Sequence, residues 1–185
     1  MSDAFAALGL PRRPYLAPVT VQERFRDLAA RLHPDRCGGD PEPLARLNAA
    51  RKTLLSNAAR LSHLRELTFP AAPPRSLPSP DFELFSLLGS LGNNVETLVG
   101  KRAQSISSLT AALLHQEAAQ LESSIAQASK KLGALHEEIL AEIQRLDAMW
   151  PDTSSETLAE ISNRAAYCER WTESLRQAGI RLAGG

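Results

Sequence analysis

The placement of proline constrains this chain more than any other feature. Of 12 prolines, five (Pro70, Pro73, Pro74, Pro78 and Pro80) crowd into residues 69–80, and none occurs between 81 and 150. Proline lacks a backbone donor and clashes with the preceding helical turn, so the crowded stretch reads as an extended, semi-stiff spacer. The proline-free tract that follows is open to long helices. The chain is therefore expected to be all-α, with a small N-terminal domain over 1–68, a linker over 69–80 and a helical bundle over 81–185.

Within the bundle the apolar residues keep helical spacing. Val95, Val99, Ile106, Leu109 and Leu113 form one seam, interrupted at Arg102, and Ile125, Ala128, Leu132, Leu135, Ile139, Leu146 and Met149 form a second, interrupted at Glu142. An unbroken helix from 94 to 149 would be about 84 Å long at 1.5 Å per residue, more than this chain can cover with a partner helix. A break is expected, first at Gly89, Gly92, Asn93, Asn94 or Gly100, and second near residue 117, where the register slips. Thr153 and Glu156 form a capping-box pattern for a last helix that Gly179 would end. The result is an antiparallel bundle of about three helices. Its seams read as core first and as a self-association surface second, and Cys168 falls on the apolar face.

In the N-terminal half, Ser2–Leu8 allows only a short helix, closed by Gly9-Leu10-Pro11. Pro11, Pro14 and Pro18 impose a loop that Tyr15 and Leu16 would anchor. Thr20 with Glu23 predicts the start of a helix in which Val21, Phe25, Leu28 and Leu32 share one face. Arg24 and Arg31 flank that stripe on one side and Arg26 on the other. Pro34 biases His33 out of helix, so the helix should stop near Leu32 and leave His33-Pro34-Asp35 on an exposed loop. Cys37-Gly38-Gly39-Asp40 then forms a turn. Asp40 as cap and Pro41 in the first turn would open a helix carrying Leu44, Leu47 and Leu54. Ala58, Leu61 and Leu64 give a further short helix over 57–67. His63, His115 and His136 are placed at the surface or its boundary.

Formal net charge is zero, which argues for neither nucleic acid nor a membrane surface. Residues 1–67 nevertheless carry 11 Lys and Arg against 7 Asp and Glu, while the rest carries 10 against 14. A basic module beside an acidic one predicts two surfaces with different partners. The two cysteines, Cys37 and Cys168, form neither a disulfide framework nor a thiolate zinc site. His33, Asp35 and Cys37 alternate on a glycine-adjacent loop without supporting ligands, so no metal is expected there. There is no nucleophile elbow, phosphate-cradling glycine loop or framed acid pair, so no enzyme and no cofactor are expected. The absence of an apolar leader or membrane-length run predicts a cytoplasmic protein.

Two antiparallel helices joined by an exposed His-Pro-Asp loop, over roughly residues 2–67, resemble a J domain. Gly9-Leu10-Pro11, Arg24-Phe25, Asp27-Leu28, Asn48-Ala49, Arg60 and the C-terminal Tyr167-Cys168-Glu169-Arg170-Trp171 are similar to the HscB subgroup, the iron-sulfur co-chaperones. The resemblance implies stimulation of ATP hydrolysis by a DnaK-type, HscA-like chaperone. His33, Pro34 and Asp35 would act as trigger, and Arg24, Phe25, Arg26, Arg31 and Arg36 as docking surface. It also implies an iron-sulfur scaffold protein as client, held by an apolar patch that Phe82, Leu84, Phe85 and Leu88 could supply. Only Asp81 and Glu83 stand near that patch as acids, where HscB-like proteins carry an acidic border. That departure favours a second reading, in which the bundle serves another client as adaptor or dimerises. A third makes the chain a structural coiled coil with an accidental His-Pro-Asp.

Overall fold

The structure, a computed structural model, describes residues 3–32, 41–71, 82–104 and 107–184. Among these, all regular structure is helical: α1 (Ala4–Leu8), α2 (Pro18–Arg31), α3 (Glu42–Leu55), α4 (Asn57–Thr68), α5 (Phe82–Gln104), α6 (Ser108–Ala148) and α7 (Ser155–Gly184). The chain forms two compact units. One comprises 1–78 together with 139–166, and the other 79–138 together with 167–185. The end of α6 and the beginning of α7 thus belong with the four N-terminal helices.

In the first unit, α1 opens on Asp3, whose Oδ1 accepts from the N–H groups of Phe5 (2.9 Å) and Ala6 (3.2 Å). It closes on Gly9 at φ 61°, a left-handed conformation that a side chain would strain. The start of α2 differs from expectation. The helix begins at Pro18, two residues before Thr20, and Ala17 caps it without a side-chain bond. A proline at that position sets a helical φ and surrenders only an N–H that would have had no partner, so a capping box is unnecessary. α3 likewise opens on Pro41 without a side-chain cap, and Asp40 lies outside the described residues. Ser56 caps α4 by accepting from Ala59 N–H at 3.0 Å. The core of this unit buries Phe5, Leu8, Val21, Leu54, Leu61 and Leu64, together with Ile139, Ile143, Leu146, Leu158 and Ile161.

Polar bonds of long sequence separation tie the same unit together. Arg60 is 2% exposed, and its guanidinium donates to the carbonyls of Pro14 (2.8 Å) and Leu54 (2.7 Å) and to Asn57 Oδ1 (2.6 Å). This fixes the proline loop against the junction of α3 and α4. Asp147, at the end of α6, accepts from Arg13 Nε (3.1 Å) and from Tyr15 N–H (3.2 Å). Arg65 donates to Ser155 Oγ (2.9 Å), and Ser162 Oγ to the Ala58 carbonyl (2.9 Å). His63 is not a boundary residue as its sequence position suggested. It is 6% exposed, lies 5.9 Å from Phe5 in a stacked arrangement, and its Nε2 accepts from Ala4 N–H at 3.0 Å.

In the second unit, Leu88 and Leu91 of α5 pack with Ala128 and Leu132 of α6 and with Trp171 and Leu175 of α7. Farther along α5, Val95 and Leu98 meet Leu114 and Ala118 of α6 and Leu182 of α7. The order of these layers makes α6 antiparallel to α5 and α7 parallel to it, a three-helix bundle as expected. The break does not fall at the glycines. α5 runs through Gly89, Gly92, Asn93, Asn94 and Gly100, and the interruption comes between Gln104 and Ser108. A Cβ at Gly89, Gly92 or Gly100 would meet nothing within 4 Å. Each costs about 1 kcal/mol of helix propensity, which the continuous seam beneath them offsets.

Other local expectations also shift. The register slip near residue 117 lies inside a continuous α6, with Ala118 buried; Leu113 is 56% exposed and Leu114 takes its place in the core. Met149 is likewise exposed, at 58%, and Ile143 carries the seam past Glu142. Ser154, not Thr153, caps α7 by accepting from Thr157 N–H at 3.1 Å. Gly179 does not end that helix, because Leu182 one turn on is buried in the bundle core.

A candidate docking surface on the second helix

The stripe on α2 divides as its spacing predicts. Val21 is fully buried, Phe25, Leu28 and Leu32 are half-buried, and Arg24, Arg26 and Arg31 are exposed. A helix docked by one apolar face leaves its cations pointing to solvent. Among the described residues Arg26 has only a long contact, with Gln22 Oε1 at 3.5 Å. Arg24 lies against the end of α1: a Cβ on Gly9 would stand 2.8 Å from its Nη2. Behind Phe25, the Arg51 guanidinium of α3 sits 4.4 Å from the ring centroid, within cation–π range. Sequence reasoning did not single out Arg51. Its signal is faint, since the pairing depends on how α2 and α3 pack and not on any spacing within either helix.

His33, Pro34, Asp35 and Arg36 lie outside the described residues, as does Cys37. What the structure describes is the platform on either side, α2 up to Leu32 and α3 from Pro41. That platform is secured from below by α1. Burial pushes the Asp3 carboxyl up, but the Arg12 guanidinium and the Ala6 and Phe5 N–H groups outweigh it and hold the carboxyl below its ordinary 3.8. The Arg12–Asp3 pair is tight, at 2.6 Å. The helix cap is therefore a carboxylate held in its charged form.

Of the apolar residues expected to meet a client, Leu88 is 8% exposed within the second unit's core, and Leu84 is partly buried against the same cluster. The side chains of Phe82 and Phe85 lie outside the described residues. A groove of about 400 Å³ in the first unit is floored by Ala4, Ala49, Ala50 and Ala59, with Arg46 and Glu66 on its lining. Among the described residues no cluster of His, Cys, Asp and Glu could hold a metal ion. None of the described helices is long and apolar enough to cross a membrane.

Among the described residues, four short helices with a basic second helix, followed by three long helices, make up an all-helical HscB-type fold. The chain is similar in structure to the chaperone HscB from Vibrio cholerae, with 15% sequence identity and a TM-score of 0.60, covering 98% of this chain and 99% of that one. No protein-family model matches the chain, and no curated protein matches it in sequence.

Proposed function

We propose that this chain is a J-domain co-chaperone that stimulates the ATPase of a DnaK-type, HscA-like chaperone and regulates that partner without catalysing a reaction itself. The observation that carries the reading is the surface of α2. Three exposed arginines, Arg24, Arg26 and Arg31, lead directly into His33-Pro34-Asp35, on a helix whose opposite face is packed. Such a face attracts an acidic partner and orients it, and in this reading the tripeptide that follows it in sequence is what the partner reads. The likeness along nearly the whole chain to a chaperone fold supports the same reading. In this reading Arg36 extends the basic face and Phe25 shapes it.

The bundle would present the client, an iron-sulfur scaffold protein, through Phe82, Leu84, Phe85 and Leu88. The burial of Leu88 and the absence of acids over residues 89–94 favour the alternative of a different client or self-association. The test is binding to a purified DnaK-type chaperone in its ATP state by Arg24→Glu/Arg26→Glu. Affinity should fall about tenfold or more at low ionic strength and recover in part at high salt. Unchanged affinity, or a loss indifferent to salt, would contradict electrostatic docking through α2.

A further inference from the structure

We infer that Arg51 of α3 is part of the docking surface, so that the cationic face extends across two helices. The inference rests on the co-chaperone reading. α3 carries three basic side chains, Arg46, Arg51 and Lys52, and they are not equivalent. Arg46 is paired with Glu42 at 3.0 Å along its own helix. Lys52 is exposed next in sequence to Arg51, on a different face from it. Arg51 reaches α2, with its guanidinium carbon over the Phe25 ring.

Two consequences follow from that geometry. The ring face engages the guanidinium through its π-cloud and accepts no N–H hydrogen bond from its edge, so the planar fork keeps its donors for a carboxylate. Among the described residues, neither Arg51 nor Arg24 has a hydrogen-bonded or ion-paired partner. Arg24 adjoins Phe25 in sequence on α2, and Arg51 covers the same ring from α3. Two guanidinium groups with no hydrogen-bonded or ion-paired partner among the described residues therefore flank one half-buried aromatic residue. Each is partly oriented, Arg24 by the side-chain-free Gly9 and Arg51 by the ring. A guanidinium already held in place loses less rotamer freedom on binding than a free surface arginine. The chemistry this arrangement recognises is a pair of carboxylates on the chaperone, spaced to meet one cation from each helix.

The measurement is affinity for the purified DnaK-type chaperone in its ATP state, at two ionic strengths, with melting temperatures recorded for every variant. Arg51→Glu should weaken binding about tenfold at low salt and less than about threefold at high salt. Arg51→Lys keeps the charge but not the planar fork, and should fall between Arg51→Glu and wild type. Phe25→Leu should remove most of the difference between Arg51→Lys and wild type, because the ring that orients the fork is gone. A merely structural Arg51 would lower melting temperature without changing the salt dependence. Wild type that binds while Arg51→Glu and Arg51→Lys bind equally well overturns the inference alone. Wild type that does not bind overturns it together with the co-chaperone reading.

Discussion

The two units of this protein are held together by different physics. In the first, buried or half-buried polar bonds join residues far apart in sequence: Arg60 to Pro14, His63 to Ala4, Asp147 to Tyr15, Arg65 to Ser155, and Ser162 to Ala58. In the second, the interior is a run of apolar layers, aliphatic except for Trp171 and the partly buried Tyr167. Its polar contacts between helices are mostly at the surface, as with Lys101–Glu117 and Arg181–Glu96, or donate to a helix-end carbonyl, as Arg102 does to Leu182. Aliphatic layers tolerate exchange of one side chain for another of similar volume. A buried guanidinium with three acceptors does not, since each acceptor left bare keeps its desolvation cost. Polar locks specify one geometry, which suits the unit that displays the α2 surface.

The two interiors should differ most in their response to deletion of a lock in one unit and exchange of a layer residue in the other. Arg60→Met should destabilise by about 3 kcal/mol or more, because it leaves the Pro14 and Leu54 carbonyls without their donors. Leu132→Met, in the aliphatic seam, should cost less than about 1.5 kcal/mol. Urea unfolding of both variants measures this directly. A loss at Leu132 as large as that at Arg60 would mean that the bundle too depends on a specified geometry.

A smaller effect in the first unit depends on pH. The Asp3 carboxyl is held below its ordinary 3.8 in the folded chain, so folding favours the charged form. Its contribution is present above the unfolded value and is lost as pH falls through the lower folded value. Asp3→Asn should therefore be less stable than wild type near neutral pH, and the gap should close as pH falls below the carboxyl's lowered folded value. A gap that stays constant with pH would mean that the cap acts through hydrogen bonding alone.

These locks explain what sequence could and could not reveal. The helical class, the ends of α1 and α4 and the three-helix bundle follow from local rules: the spacing of apolar residues, a glycine at a helix end and proline as punctuation. The missed features depend on tertiary neighbours. Arg60 looks like any helical arginine until the Pro14 carbonyl arrives from 46 positions away. His63 and the assignment of residues 139–166 to the first unit were hidden for the same reason. Gly89, Gly92 and Gly100 looked like breaks because their intrinsic cost is visible in sequence, whereas the seam that offsets it is not. For the candidate site, sequence supplied the α2 arginines and the His-Pro-Asp tripeptide, while Arg51 emerged only from the packing of α3 on α2.

In the proposed function, the surface on α2 and the tripeptide beyond it in sequence drive a partner's ATP hydrolysis. This role is tested most directly by single-turnover ATP hydrolysis by a DnaK-type chaperone from the same organism, with wild-type protein and with His33→Gln. Stimulation by wild type and none by His33→Gln, at equal melting temperatures, is the predicted result. Equal hydrolysis rates with wild type, with His33→Gln and with neither protein would contradict it.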